Sequence, residues 1–312
     1  MADVVTLTMN PSIDLSVSVE RVAPFHKLRC GFGRRDPGGG GINVARVIKR
    51  LGGDVTAIYP IGGTLGQLLH HLVEQEEIRG LTTTIAAEMR EDFTVFEEGT
   101  GAQYRFVLPG PHFAEPEWGA CLAMIGKLER SARFVVASGS LPPGVPADFY
   151  GRIATLVKQA GAKIVVDSSG AALQAALQAG VYLVKPSLNE FRQLTDARLE
   201  TQSDWIRACR SLIDGGRVEV VALTLGEQGA LVVTRDRILR AQALAIKPVS
   251  VVGAGDSFLG AMIWSLAGGD DMETALRYGV AAGSAAMLMP GTELCQREDV
   301  DRLVNDVKLQ II

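Results

Sequence analysis

The stretch Val251-Val252-Gly253-Ala254-Gly255-Asp256-Ser257 brackets a small residue between two glycines and places a carboxylate directly after them. It then runs into the apolar helical pattern Phe258, Leu259, Ala261, Met262, Ile263. Glycines accept the positive φ of a tight turn, so backbone N–H groups ahead of the helix can stay unpaired at its positive end. A carboxylate at the same place lies within reach of any anion those groups hold. Together they supply a site for developing negative charge and a proton acceptor, which phosphoryl transfer to a hydroxyl requires. Read alone, the segment also allows Asp256 or Ser257 to be no more than a helix cap.

Outward from that turn, short β-branched runs alternate with longer helical patterns. Strand-like runs cover 4–8, 55–60, 134–137, 164–167, 182–185, 220–225 and 231–234. Helical patterns cover 43–51, 67–76, 116–130, 147–160, 204–215, 257–266 and 272–288. The alternation predicts an α/β fold in one domain over 1–312, a mostly parallel sheet sandwiched by helices, with ligands bound beyond the carboxyl ends of the strands. Two segments break the pattern. Residues 15–19 with 28–34, and 93–97 with 104–108 around the turn Glu98-Gly99-Thr100-Gly101, predict a small β sheet projecting from the body within about 15–34 and 92–108. Its expected roles are a lid over the active site and a dimer contact.

Composition narrows the function. Of 312 residues, 47% are apolar and 21% charged, with a formal charge of −4, which describes an ordinary globule and argues against a nucleic-acid or anionic-membrane binder. Anionic substrates then need local groups. Arg46, Lys49 and Arg50 fall on a predicted helix and are expected to form a solvated face. The four cysteines (Cys30, Cys121, Cys209, Cys295) stand far apart with no metal-ligand spacing, which predicts structural thiols in a reduced, cytoplasmic setting. The apolar segment 280–289 is too short to span a bilayer, and no cationic leader precedes the first strand.

The residues just beyond each predicted strand carry the chemistry. After 4–8 comes Asn10-Pro11-Ser12-Ile13-Asp14, placing Asp14 in a turn at a strand's carboxyl end. Pro37-Gly38-Gly39-Gly40-Gly41-Ile42-Asn43 enters a helix directly, which suggests backbone lying close to a ligand. Ser138-Gly139-Ser140-Leu141-Pro142-Pro143-Gly144, Asp167-Ser168-Ser169-Gly170, Lys185-Pro186-Ser187-Leu188-Asn189-Glu190 and Thr224-Leu225-Gly226-Glu227-Gln228-Gly229-Ala230 come after later strands. So many polar, glycine-rich ends predict a cleft for hydroxyl, carboxylate and phosphate ligands. Glu190 and Asp167 are the candidates for Mg²⁺, which takes few direct carboxylates and keeps its waters. Familiar nucleotide motifs are absent: Gly126-Lys127 is followed by Leu128, and Asn43 stands where a dinucleotide pattern needs a third glycine.

Gly38-Gly39-Gly40-Gly41-Ile42-Asn43-Val44-Ala45, Thr224-Leu225-Gly226-Glu227-Gln228-Gly229-Ala230 and Val252-Gly253-Ala254-Gly255-Asp256-Ser257 together resemble the ribokinase-like sugar kinases of the phosphofructokinase B family. The resemblance extends from Thr6 to about Cys295. Lys27-Leu28-Arg29-Cys30, Gln103-Tyr104-Arg105-Phe106-Val107 and Val280-Ala281-Ala282-Gly283 make it strongest toward the family's bacterial 6-phosphofructokinase branch of the minor, isozyme-2 type. It implies ATP-dependent phosphorylation of fructose 6-phosphate to fructose 1,6-bisphosphate. Asp256 would be the base, and the backbone of Gly253, Ala254, Gly255 and Asp256 the anion hole.

By the same resemblance Asp14, Gly39, Gly40 and Asn43 would hold sugar hydroxyls, with Ser140 in the substrate site. Arg90, Lys27 and Arg29 would bind the sugar's phosphate, a task that suits guanidinium and ammonium groups. Lys185, Ser187, Thr224, Gly226 and Gly229 would line the ATP site. Glu190 would position Mg²⁺, through water. The family's β sheet serves as lid and homodimer contact. Some members bind a monovalent cation such as K⁺ through backbone carbonyls near Ser250 and Gly291, an option the resemblance leaves open.

The family usually carries Asn where this chain has Ser187, with Glu190 kept; a hydroxyl is shorter and has one donor instead of two. Within the family, 1-phosphofructokinase and tagatose-6-phosphate kinase are the competing activities. Gly255-Asp256-Ser257 also matches the Gly-Asp-Ser of certain esterases, which need a histidine base. All four histidines (His26, His70, His71, His112) lie before residue 113, whereas those esterases place theirs near the C-terminus. A non-catalytic sugar-phosphate sensor on this scaffold would be expected to lose its base, and Asp256 is present.

Overall fold

In the computed structural model, which describes residues 3–127 and 132–312, strand β1 (Val4–Leu7) is buried on both faces. Such a strand requires helices above and below it. β2 (Ser12–Val19) and β3 (Arg34–Gly38) leave the body and return to it. They are followed by α1 (Gly40–Arg50), β4 (Val55–Ile61), α2 (Gly63–Gln75) and β5 (Arg79–Thr84). β6 (Arg90–Glu97) and β7 (Gln103–Phe106) leave again, and α3 (Glu115–Gly126) resumes the body. The expected end of that helix, 128–130, lies outside the described residues.

The second half alternates regularly: β8 (Phe134–Ser138), α4 (Phe149–Gln159), β9 (Lys163–Asp167), α5 (Gly170–Ala179), β10 (Val181–Val184), α6 (Leu188–Thr195), α7 (Gln202–Asp214) and β11 (Val218–Thr224). β12 (Ala230–Val233), β13 (Ile238–Ala241), α8 (Ala254–Gly268), α9 (Met272–Met287), α10 (Arg297–Leu303) and β14 (Leu309–Ile311) complete the chain.

The main sheet runs β14-β13-β12-β11-β10-β9-β8-β1-β4-β5. Every pairing from β11 to β5 is parallel, and β12, β13 and β14 extend the edge antiparallel. Beyond β1 the chain builds outward to β4 and β5, then reverses to β8 on the other side. The crevice between the carboxyl ends of β1 and β8 is therefore the switch point where such sheets bind ligands. Asn10 Nδ2 donates to Ser140 Oγ across it at 3.1 Å.

The second sheet runs β3-β2-β6-β7 and forms the expected small lid, but its strands differ from expectation. The partner of β2 is Arg34–Gly38, whereas 28–33 form no strand. A run with two arginines, an aspartate, a proline and a glycine looks like loop, and only pairing with β2 makes it a strand. Asp14 lies within β2, not in a turn after β1. Its neighbours across the sheet are Asp36 on β3 and Asp92 on β6, so three carboxylates stand abreast on one face. Between β6 and β7 the turn forms as expected, with Phe96 opposite Gln103.

All four cysteines are free thiols, three of them buried. Among the described residues no helix is long and apolar enough to cross a membrane.

Candidate active site

Gly253 adopts φ 75 at the start of α8, and a Cβ there would lie 2.4 Å from Leu294 Cδ2, so only glycine fits the turn. The first bond of the helix is Ser257 N to Gly253 O, 2.8 Å. Among the described residues no protein acceptor meets the N–H groups of Gly253, Ala254, Gly255 and Asp256. Those dipoles are thus open at the positive end of a fifteen-residue helix. Asp256 stands in the first turn of α8, partly exposed, and its Oδ2 accepts a 2.8 Å hydrogen bond from Asn43 Nδ2. Lys185 Nζ approaches from the end of β10, and a Cβ on Gly255 would lie 3.2 Å from it. An ammonium is therefore packed against the open amides.

That ammonium pairs with Asp167 Oδ1 at the end of β9, 3.3 Å away. Burial pushes the Asp167 carboxyl up to about 6; Lys185 opposes this, and the negative charges of Asp256 and Glu190 add to it. Burial also raises Asp256, against the Asn43 hydrogen bond and the charges of Lys185 and Arg105. For Lys185 burial works downward, but Asp167, Asp256 and Glu190 outweigh it and hold the ammonium charged. Three carboxylates thus share one cation.

A Mg²⁺ ion fits that excess of negative charge. Among the described residues no three His, Cys, Asp or Glu side chains gather as a ligand set, so an ion here would keep waters and phosphate oxygens. Glu190 Oε2 accepts from Ser187 N and Ser187 Oγ at 2.7 and 2.8 Å, while Ser187 Oγ caps Glu190 N. Serine in place of asparagine closes a reciprocal capping box on α6. One Glu190 oxygen is occupied by that box.

The glycine run packs tightly against the chain itself. A Cβ on Gly38 would lie 2.3 Å from Asp14 Oδ1, on Gly40 2.3 Å from Ser138 Oγ, and on Gly41 2.6 Å from Leu7 O. The chain here lies against its own strands. Gly39, at φ 108, makes the turn into α1, and it and Gly40 keep partial exposure at the switch-point crevice. Asn43, one turn into α1, is thereby carried across to Asp256.

The expected solvated basic face on α1 is also corrected. Arg46 is completely buried, paired with Asp36 and Glu76, and Arg50 joins Glu76. Its partners come from β3 and from the end of α2, which no local pattern in α1 could reveal.

On the lid, burial raises the Asp14 carboxyl to about 6, opposed by a 2.7 Å hydrogen bond from Ser12 Oγ and reinforced by Asp92. Arg90 Nη1 donates to Asp92 Oδ1 and Leu108 O at 3.3 and 3.0 Å, and Nη2 to Asn10 O at 3.0 Å. Its Nε is buried, and among the described residues it has no hydrogen-bond partner. Lys27 and Arg29 are exposed between β2 and β3, and among the described residues no hydrogen bond or ion pair joins them to the cleft.

Thr224 ends β11 and bridges to Ser187. Gly226, at φ 59, faces open space, whereas a Cβ on Gly229 would strike Ala241 O at 2.2 Å. Ser257 is fully buried, a position no esterase nucleophile could use. Asn10, which links Arg90 and Ser140, carried no sequence signal beyond its place after β1.

The chain matches the pfkB family of carbohydrate kinases over residues 3–299. It is 46% identical over 299 residues to ATP-dependent 6-phosphofructokinase isozyme 2 of Mycobacterium tuberculosis, covering 96% of this chain and 88% of that protein. It is 40% identical over 304 residues to the Escherichia coli protein of the same name, covering 97% and 98%. The crystal structure of Escherichia coli phosphofructokinase-2 in complex with substrates and products superposes with a TM-score of 0.93 at 39% identity, covering 97% of this chain and 98% of that one.

Proposed function

The chain belongs to the pfkB family of carbohydrate kinases, and we propose that it transfers the γ-phosphoryl group of ATP to the 1-hydroxyl of fructose 6-phosphate. The observation that carries this reading is the Asp256 carboxylate, held by Asn43 beside four unpaired main-chain N–H groups at the start of α8. Relatives that share the whole domain bear the name of that activity.

Asp256 accepts the proton of the 1-hydroxyl as its oxygen attacks the γ-phosphorus. The bond from that phosphorus to the β–γ bridging oxygen breaks, and ADP leaves with the electron pair. The amides of Gly253, Ala254, Gly255 and Asp256 meet the charge that spreads over the transferring oxygens, and Lys185 adds a full positive charge beside them. Asp14, Gly39, Gly40, Asn43 and Ser140 border the switch-point crevice and orient the sugar hydroxyls. Arg90 takes the 6-phosphate together with Lys27 and Arg29 from the exposed segment between β2 and β3. Ser187, Thr224, Gly226 and Gly229 frame the nucleotide.

Mg²⁺, held near Glu190 and Asp167 largely through water, supplies neutralisation of the nucleotide phosphates when bound. A monovalent cation such as K⁺ would sit by the carbonyls near Ser250 and Gly291. The lid carries Phe25, Leu28, Phe32, Phe106 and Val107 exposed, an apolar surface suited to a second copy, so the working unit is a homodimer joined through the lid in the cytoplasm.

The test is a coupled ADP-release assay comparing fructose 6-phosphate, fructose 1-phosphate, tagatose 6-phosphate and the unphosphorylated sugars. Fructose 6-phosphate should give the highest kcat/KM. A higher value for either of the other phosphates would move the assignment to the competing activities, and no turnover with any of them would remove it.

A further inference from the structure

Arg46 lies one turn beyond Asn43 on the same face of α1, and none of it reaches solvent. A buried guanidinium must place its donors on protein acceptors. Nε donates to Glu76 Oε1 at 2.8 Å and Nη2 to Asp36 Oδ1 at 3.2 Å. Nη1 is shared among Pro37 O at 3.2 Å, Thr292 O at 3.3 Å and Asn43 Oδ1 at 3.5 Å. Thr292 Oγ1 in turn donates to Asp36 Oδ2 at 3.1 Å. One side chain thus joins the returning lid strand, the end of α2, the loop after α9 and the amide that holds Asp256.

The contact with Asn43 has a direction. A guanidinium offers donors only and a carboxylate acceptors only, so an amide between them has one stable orientation, oxygen toward Arg46 and nitrogen toward Asp256. Rotating that amide would set its NH₂ against the guanidinium and its oxygen against the carboxylate. We propose that Arg46 is a positioning residue for phosphoryl transfer, fixing the Asn43 amide so that Nδ2 holds the Asp256 carboxylate in place. The proposal rests on the reading of Asp256 as base. Arg46 touches neither substrate nor reacting atoms; it acts through Asn43. The further charged groups around Asp256 are Lys185, Asp167 and Arg105, none of them in contact with Arg46.

The test is a double-mutant cycle in the full-length protein with Arg46→Lys, which keeps the buried charge between Asp36 and Glu76 but loses the fork. Arg46→Lys should lower kcat about tenfold, the worth of one hydrogen bond that fixes the amide holding Asp256, with KM for ATP changed less than about twofold. Because the Asn43 bond favours the charged carboxylate, the acid limb of kcat/KM should move to higher pH by roughly half a pH unit or more.

In the Asn43→Ala background the same lysine substitution should change kcat less than about twofold. An equal loss in both backgrounds, or a lowered melting temperature with kcat and the acid limb unmoved, overturns the proposal and leaves Arg46 a structural cross-link. If Arg46→Lys does not accumulate as folded protein, Asp36→Asn loosens the same guanidinium from the lid side and is held to the same criteria. Asp256→Asn run in parallel separates the two readings. Full activity there removes the base assignment, whereas its loss with an additive cycle removes only the role of Arg46.

Discussion

Replacing Asp256 with asparagine removes one negative charge without changing the size of the side chain. Asn43 Nδ2 still finds an acceptor, because the new amide can turn its oxygen to the place of Oδ2, so the 2.8 Å contact survives. The open amides of residues 253–256 and Lys185 are untouched. Only the proton acceptor disappears. General bases contribute about 10²–10⁴ in rate, and kcat should fall by that factor, equivalent to about 3–5 kcal/mol. ATP should bind as well as before or slightly better, since three carboxylates crowd one ammonium here and the substitution leaves two. Asp167 should titrate at lower pH than about 6, because the charge of Asp256 is one of the causes that raise it. Steady-state ADP release gives kcat, and calorimetric titration of Mg·ATP gives Kd. A kcat within tenfold of the parent, or a Kd for ATP weakened tenfold, would refute the assignment of Asp256 as base.

Arg90→Ala should raise KM for fructose 6-phosphate about tenfold or more, one lost charge-assisted contact, with KM for ATP little changed. It should also lower the urea midpoint, because Asp92 is left buried without its partner; an unchanged sugar-phosphate KM would take Arg90 out of the phosphate site. Asp14→Asn should abolish productive sugar binding yet stabilise the fold at pH 7.5. Folded Asp14 titrates near 6, above its ordinary 3.8, so its contribution to stability is present below about pH 4 and lost as pH rises through 6. The gain in urea midpoint should therefore be clear at pH 7.5 and nearly absent at pH 4, and equal gains at both would sink the account.

The parallel core was legible because β1, β8, β9, β10 and β11 are short β-branched runs whose burial leaves no alternation to misread. The start of α8 was legible because its turn needs the positive φ that Gly253 supplies, directly ahead of an apolar helical run. The elements that sequence concealed owe their form to neighbours. β5 reads Arg-Gly-Leu-Thr-Thr-Thr and exists by pairing with β4, while β13 and β14 complete one edge of the sheet. The Ala-rich α5 has helix formers but no capping side chain. Arg46 misled most. Spacing on α1 groups it with Lys49 and Arg50, while the carboxylates that bury it are ten and thirty residues away along the chain. The contacts of the glycine run were not legible, because its missing side chains make room for Asp14, Ser138 and the carbonyl of Leu7, all distant from it in sequence or hidden in other strands.

The mounting of the lid has a mechanical consequence. β3 ends at Gly38 and α1 begins at Gly40, so Gly39 is the one residue of chain between the projecting sheet and the helix that carries Asn43, and the Arg46–Asp36 pair ties the two together beside it. Any tilt of the lid that Gly39 does not absorb is delivered as torque to the first turn of α1. A probe of sugar docking placed on the lid and a probe of carboxylate alignment placed near α8 would therefore report on the same displacement.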